Sequence, residues 1–109
     1  MISEKKVTHL YLRPNNSLED VFNPELLSSN FTSDLILDLL SFETIDENIV
    51  ISLNQILQKT TSNGFCMVVV LKEIPTIANI GLLNIVPTLI EAEDYIKMEK
   101  IQRDLGLSQ

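Results

Sequence analysis

The fold is decided by a strand–helix–strand segment that runs from residue 34 to residue 71. Its two strands are the apolar runs DLILDLL, at residues 34–40, and CMVVVL, at residues 66–71. Runs that are apolar at almost every position are typical of central parallel strands covered by helices on both faces. The segment between them has helical spacing of its apolar residues, which are Ile45, Ile49, Leu53, Ile56 and Leu57. This segment therefore predicts a βαβ unit.

The polar residues around this helix predict where it begins and ends. Thr44 and Glu47 have the spacing of a capping box, while Asp46 could itself cap the helix, so two starting points are open. At the other end, Asn63 or Gly64 can adopt the left-handed conformation that closes a helix. The junction between the strand at residues 34–40 and this helix thus contains the sequence Asp46-Glu47-Asn48.

The elements outside residues 34–71 complete a small α/β domain. We expect a first strand over residues 6–13, a short broken helix over residues 17–29, a short edge strand over residues 82–86 and a C-terminal helix that begins at Thr88 and ends at Gly106. With 109 residues, the chain is one domain with one core, spanning residues 1–109. The predicted architecture is about four mostly parallel strands with helices packed against them.

The C-terminal helix carries more apolar residues than a small sheet can cover. They are Leu89, Ala92, Ile96, Met98, Ile101 and Leu105. We expect them to form one broad apolar face whose last turns project beyond the sheet. Met98, Ile101 and Leu105 would then be an exposed surface for a second copy or another partner.

The charge and composition exclude several classes of partner. The formal net charge is −7, with 15 acidic and 8 basic side chains, so the average field repels phosphate backbones and anionic lipids. We therefore expect neither a nucleic-acid nor a membrane partner. The single cysteine excludes an internal disulfide, and the first residues lack the apolar core of a signal peptide. These features predict a cytoplasmic protein.

The sequence lacks the residue sets of common catalytic sites. His9 is the single histidine and Cys66 the single cysteine, so neither a zinc site nor a nucleophile with its histidine is indicated. We expect both side chains to be structural residues of strands. Three glycines in the whole chain do not make a phosphate-binding loop. We predict no enzyme, no catalytic residue, no cofactor and no resident metal.

A weaker alternative is a magnesium site at the carboxyl ends of the strands. It would use two or three of the carboxylates around the junction, namely Asp34, Asp38, Glu43, Asp46 and Glu47. The simpler interpretation is that these side chains cap the helix and keep the surface hydrated.

Three segments resemble the STAS domain, the fold of bacterial anti-sigma-factor antagonists and of the cytoplasmic tails of sulfate transporters. Residues 34–46 are similar to that family's apolar strand followed by Asp-Leu-Ser and, later, an apolar residue and Asp. Residues 64–70 resemble its glycine and strand, and residues 83–92 its closing strand and last helix. Residues 86–106 look still closer to small bacterial STAS-like proteins whose genes neighbour that of ribonuclease Z. The chain cannot be that nuclease, which needs a histidine-rich metal cluster.

The resemblance implies a non-enzymatic regulatory module that binds a protein, with an anti-sigma factor or its kinase as the candidate partner. The implied contact residues are Ser41, Asp46, Glu47 and Asn48. In the sporulation antagonists the junction reads Asp-Ser-Ser-Gly, and a kinase phosphorylates the second serine. Here Asn48 stands at that serine and cannot accept phosphate. The amino-terminal half also departs, because it shows one clear strand where the family usually has a hairpin.

A different class of function is also consistent with the sequence. In this alternative the chain is an accessory or assembly protein that docks its C-terminal helix onto an enzyme or onto a second copy, forming a homodimer.

Overall fold

The computed structural model describes residues 2–14, 31–77 and 80–106. Over these residues the chain is an α/β domain with a five-stranded mixed sheet. The strands are β1 (Ile2–Lys5), β2 (His9–Arg13), β3 (Asp34–Asp38), β4 (Met67–Val70) and β5 (Ile85–Val86). The helices are α1 (Glu47–Ser62) and α2 (Leu89–Asp104), and a 3₁₀ turn covers Ile80–Leu82.

The strands are ordered β1-β2-β3-β4-β5 across the sheet, and β2 to β5 are parallel. The expectation of four strands is wrong, because residues 2–5 form an additional strand antiparallel to β2. The hairpin turn is closed by the Lys6 N–H, which donates to the His9 carbonyl at 2.8 Å. Residues 2–5 lack the apolar alternation of an inner strand because β1 lies at the edge of the sheet.

The predicted first strand is also shorter than expected at its start. It begins at His9 rather than at Lys6, because Lys6, Val7 and Thr8 lie between β1 and β2 in the hairpin. Val7 is fully exposed, as expected for a side chain in a hairpin turn, which faces solvent. At the far edge, β5 is confirmed as a short edge strand, but it contains two residues and the 3₁₀ turn takes up part of the predicted strand. The broken helix expected over residues 17–29 lies outside the described residues.

The central strand β3 is buried along its whole length, as its sequence predicts. The expectation of one core is wrong, because the sheet separates two clusters of buried side chains and alternate residues of β3 point to each. Leu35 and Leu37 pack on the side of α1, while Ile36 packs on the side of α2. The α1 core contains Leu12, Phe31, Leu35, Leu37, Leu39, Ile45, Val50, Leu53, Ile56, Met67, Val69, Leu71 and Leu83. The α2 core contains Ile36, Val68, Val70, Ala92 and Ile96.

The start of α1 shows which of the two candidate caps operates. Asp46 is the N-cap residue, in extended backbone conformation, and its Oδ1 accepts a hydrogen bond from the Ile49 N–H at 2.9 Å. Val50, Leu53 and Ile56 then face the sheet. After the helix, Gly64 has a φ of 85°, a conformation that a side chain would strain, so the predicted stop signal is confirmed.

The start of α2 is also as predicted, since Thr88 is its N-cap and its hydroxyl accepts from the Glu91 N–H at 3.1 Å. The expectation of one broad apolar face is wrong. Ala92 and Ile96 are buried against the sheet, whereas Met98 and Ile101 are 62% and 57% exposed. A helix turns by about 100° per residue, so these two pairs lie on opposite sides of α2.

The last turn of α2 is anchored to the sheet and does not project beyond it. The Arg103 guanidinium forms an ion pair with Asp34, with Nη2 and Oδ2 2.6 Å apart, and its Nη1 donates to the Gly64 carbonyl at 2.8 Å. Asp34 is 3% exposed, and its Oδ1 accepts from the Cys66 N–H at 2.9 Å. One buried carboxylate thus joins β3, the start of β4 and α2.

We predict that Leu53→Ala lowers the free energy of unfolding by about 3 kcal/mol, because Leu53 is fully buried in the α1 core and its loss leaves a cavity. Ile51→Ala is the matched control, since Ile51 is on the same helix but 55% exposed. Urea denaturation of both variants measures the difference. Equal destabilisation by the two substitutions would contradict the assignment of the α1 inner face.

We predict that Arg103→Ala lowers the free energy of unfolding by roughly 3 kcal/mol, because it leaves the buried Asp34 carboxylate without its cation. Lys97→Ala, which removes an exposed cation from the same helix, is the control. Replacing Asp34 by Asn in the Arg103→Ala background should recover part of the loss. A variant as stable as the control in urea denaturation would show that the ion pair does not anchor α2.

Candidate functional site

The loop between β3 and α1 presents the residues that the sequence singles out. It is held in place by two buried side chains, Leu39 and Ile45, which belong to the α1 core. The Phe42 N–H donates to the Leu39 carbonyl at 3.0 Å and closes a turn directly after the strand. Ser41 lies in this turn and is exposed.

Asp38, at the end of β3, shapes the beginning of the loop. Its Oδ1 accepts from the Leu40 N–H at 3.0 Å, and its Oδ2 accepts from the Tyr11 hydroxyl at 2.5 Å. The side chain is 4% exposed. Because both carboxylate oxygens are already bonded inside the protein, Asp38 serves the structure of the junction rather than its surface.

The four predicted contact residues lie at the carboxyl edge of the sheet, and all four are exposed. Glu47 and Asn48 are the first two residues of α1, next to the N-cap Asp46. The carboxylate of Asp46 faces the helix and accepts from Ile49, so its capping bond orients the side chain. Ser41 shares this edge, but no hydrogen bond joins it to the other three within the described residues. We call these four residues the junction surface.

The carboxylates proposed as magnesium ligands are spread over the domain. Asp34 and Asp38 lie at opposite ends of β3, which places them about 13 Å apart along the strand. Among the described residues, no group of three or more His, Cys, Asp and Glu side chains has an arrangement that could hold a metal ion. The structure therefore separates Asp34 from the junction and leaves Glu43, Asp46 and Glu47 as surface charges.

His9 lies in β2 as expected, whereas Cys66 comes directly before β4, which begins at Met67. His9 is 7% exposed, and its Nδ1 lies 2.9 Å from the Thr8 hydroxyl oxygen. Burial lowers its pKa, because the charged imidazolium would lose hydration. Cys66 is half-buried against the α2 core, and burial raises the pKa of its thiol to about 12. Its thiolate, the nucleophilic form, is therefore rare at neutral pH.

The structure contains a cleft that the sequence does not indicate. It is an open depression of about 240 Å³ between the β1–β2 hairpin and the first two turns of α2. Its lining is mainly polar and consists of Glu4, Lys6, His9, Tyr11, Arg13, Leu89 and Glu93. His9, Tyr11 and Arg13 are spaced two residues apart in β2, so the sequence does indicate that they share one face of the strand. The cleft also depends on β1, which the sequence does not indicate.

The outer side of α2 and its C-cap residue, Leu105, present the three predicted helix-interface residues. Met98, Ile101 and Leu105 are 62%, 57% and 66% exposed. The structure adds Ile90, which is 73% exposed and lies on the same side of the helix. Its spacing to Met98, two turns later, is a signal that was available in the sequence.

Comparison with known proteins does not identify a family. No protein-family model matches the chain, and no curated protein matches it significantly. In the described part of the chain, neither helix is both long enough and apolar enough to cross a bilayer.

We predict that Tyr11 ionises at higher pH in the folded protein than in urea. Burial, helped by the hydrogen bond to Asp38, raises its pKa to about 12 from an ordinary value of 10.0. The unfolded chain releases the proton first, so the stabilising contribution is complete below pH 10 and is lost as the pH rises towards 12. Absorbance titration of the phenolates of the wild type and of Tyr11→Phe measures this group separately from Tyr95. A normal titration of Tyr11 would contradict its buried bond to Asp38.

Proposed function

We propose that the chain is a non-enzymatic interaction module of STAS type, which binds a regulatory protein through the junction surface. The candidate partner that this resemblance implies is an anti-sigma factor with kinase activity. In this role Ser41, Asp46, Glu47 and Asn48 are contact residues.

The topology of the domain supports the proposal. β2 to β5 form a parallel sheet, and α1 and α2 cover opposite faces of it. From the sequence alone, one strand was expected where STAS domains usually have a hairpin. The structure has an antiparallel hairpin there, formed by β1 and β2. Among the described residues, the hairpin removes this difference, while the junction sequence still differs from that of the antagonists.

The observation that carries the proposal is the exposure of Glu47 and Asn48 in the first turn of a capped helix. The start of α1 is held in one conformation by the Asp46 cap and by the buried Ile45. A preformed surface loses little conformational freedom when a partner binds. The side chains at this position are therefore oriented for contact while their polar groups are accessible.

The charge of the junction indicates what the partner surface is like. Glu43, Asp46 and Glu47 are exposed carboxylates, and the whole chain has a net charge of −7. A complementary partner presents basic side chains, which raise the rate of association more than they raise affinity. Because Asn48 replaces the serine that the antagonists use, phosphorylation at this position cannot release the partner. We propose that binding is constitutive.

The outer side of α2 favours a second candidate function, an accessory or assembly role. Exposed Met98, Ile101 and Leu105 offer an apolar surface that does not overlap the junction surface in sequence or in secondary structure. Docking on an enzyme would use this helix and leave the start of α1 unchanged.

The experiment that tests the leading proposal is gel filtration of the chain with purified anti-sigma kinases. We expect a complex with one kinase, and we expect Glu47→Lys to weaken it at least about tenfold because the charge at the contact is reversed. Glu91→Lys is the matched control, since Glu91 is also an exposed residue in the first turn of a 16-residue helix. It should bind as the wild type does.

A second measurement tests the constitutive character of the complex. With ATP present, the wild-type complex should persist, whereas Asn48→Ser should incorporate phosphate and dissociate. The proposal fails if none of the kinases forms a complex, or if Glu47→Lys and Glu91→Lys weaken the complex equally.

A further inference from the structure

A second cleft, at the amino edge of the sheet, gathers basic side chains that are far apart in the sequence. It is a depression of about 400 Å³ between the β1–β2 turn, the start of β3 and the last two turns of α2. We call it the amino-edge cleft. Its charged lining consists of Lys5, Lys6, Lys100, Arg103, Asp34 and Asp104.

The amino-edge cleft concentrates positive charge in an acidic protein. Four of the chain's eight basic side chains line it together with two carboxylates, which gives the lining a formal charge of +2. Because the whole chain carries −7, the residues outside the cleft carry −9. The local charge is therefore opposite in sign to that of the rest of the chain, and a cleft focuses the field of its own charges.

Two of the four cations already have partners within the protein. Arg103 is anchored to β3, and the Lys6 ammonium lies 2.7 Å from a carboxylate oxygen of Glu4. In the described part of the chain, Lys5 and Lys100 form no ion pair, and both side chains are exposed. Their ammonium groups are therefore available to a ligand.

The two unpaired lysines approach the cleft from different elements. At about 100° per residue, Lys100 lies about 40° around α2 from Ile96, which is buried against the sheet. Lys100 is thus on the side of the helix that faces the hairpin. Lys5 reaches the same cleft from the end of β1. Their ammonium groups can therefore bind different oxygens of one ligand.

One wall of the cleft is fixed before any ligand binds. The Cζ atom of the Arg103 guanidinium lies 6.0 Å from the centroid of the Phe65 ring, and its Nη2 lies 2.6 Å from the buried Asp34 carboxylate. On the opposite side, the Lys6 N–H donates to the His9 carbonyl and closes the hairpin turn. A preformed cleft loses little conformational freedom on binding.

The size and charge of the cleft indicate the class of ligand. Its volume of about 400 Å³ is in the range of pockets that bind small molecules. A phosphate monoester carries a charge of about −1.5 to −2 at neutral pH and has three acceptor oxygens, which match the charge of the lining and its ammonium donors. A carboxylate offers one charge and two oxygens. Asp104 and the negative end of the α2 dipole oppose any anion, so we expect weak binding.

We propose that the amino-edge cleft binds a small phosphorylated molecule, with Lys5 and Lys100 as the cationic ligands of its phosphate group. This site goes beyond the interaction module proposed above and does not rest on it, because the junction surface lies at the carboxyl edge of the sheet.

Proton NMR of His9 tests the proposal, with inorganic phosphate as the probe. His9 is the single histidine of the chain, it lines the cleft and it is 7% exposed, so its imidazole resonance reports on this site. The charges that already act on it are Glu93 on α2, Lys6 in the hairpin and Asp34 on β3. At constant pH and ionic strength, we expect a saturable shift with a dissociation constant of the order of 1 mM. Sodium chloride at the same ionic strength should produce no such shift.

Two substitutions test the assigned ligands. Lys5→Gln and Lys100→Gln should each raise the dissociation constant of phosphate at least about fivefold, because each removes a charged donor. Lys97→Gln is the matched control, since it removes an exposed cation from the same helix outside the lining. It should bind phosphate as the wild type does. Circular dichroism shows whether each variant keeps its helices.

Three further probes test the class and the source of the ligand. Acetate should bind at least about tenfold more weakly than phosphate, because it has one charge and two oxygens. Glycerol 3-phosphate should bind more tightly than inorganic phosphate, because the cleft has space for the glycerol group. Vesicles that contain phosphatidic acid carry the same phosphate monoester on a lipid. The chain should not sediment with them, because the charge outside the cleft repels an anionic surface.

The absence of a saturable shift overturns the proposal, and so does an equal loss of binding in Lys97→Gln, Lys5→Gln and Lys100→Gln. Acetate that binds as tightly as phosphate overturns the class of ligand, and sedimentation with the vesicles without binding of glycerol 3-phosphate overturns its source. Glu47→Lys should leave phosphate binding unchanged, so failure here and failure of the kinase-binding proposal are distinguishable.

Discussion

The burial of β3 on both faces is the constraint on which the rest of the structure depends. Its five residues are inaccessible, and two of them, Asp34 and Asp38, are carboxylic acids at its ends. A buried carboxylate costs free energy unless other groups bond to it. At the first end, Asp34 binds Arg103 and the Cys66 N–H. At the second end, Asp38 accepts from Tyr11 and from the Leu40 N–H.

These two bonded carboxylates connect the central strand to the elements that carry the proposed functions. Arg103 brings the end of α2 to the amino edge of the sheet, so the outer face of this helix is held in one orientation. Asp38 sets the course of the chain into the loop before α1, where the junction surface begins. The junction surface lies before and at the start of α1, and the other surface lies on α2. Each is supported by an interaction with β3. Binding at one need not disturb the other.

The sequence predicts the central elements well, because their signals are local and strong. An apolar run of β-branched and aliphatic residues indicates an inner strand, and the observed β3 and β4 lie within the predicted runs. Thr88 and Gly106 mark the ends of α2 for the same reason, since caps depend on neighbouring backbone groups. The sequence does not decide whether Thr44 or Asp46 is the N-cap of α1, because both side chains can accept a hydrogen bond from a backbone N–H of the first turn.

The errors concern features that depend on distant residues. β1 has no apolar alternation, and it forms because its backbone pairs with β2 at the edge of the sheet. The sequence predicts one apolar face for α2, but the sheet buries Ala92 and Ile96 and leaves Met98 exposed. The junction residues are exposed at the edge of the sheet, and what they bind is a proposal.

By itself, the sequence determined the βαβ unit, the helix caps, the acidic surface and the lack of residue sets for common catalytic sites, since these follow from residue types and short spacings. Only the tertiary structure decided the hairpin, the two opposite apolar sides of α2 and the partners of the buried acids. Asp34 and Arg103 are 69 residues apart in the chain, and Tyr11 and Asp38 are 27 apart. Such pairs have no local signal, because they form only when the sheet brings their backbones together and water is excluded from the charges.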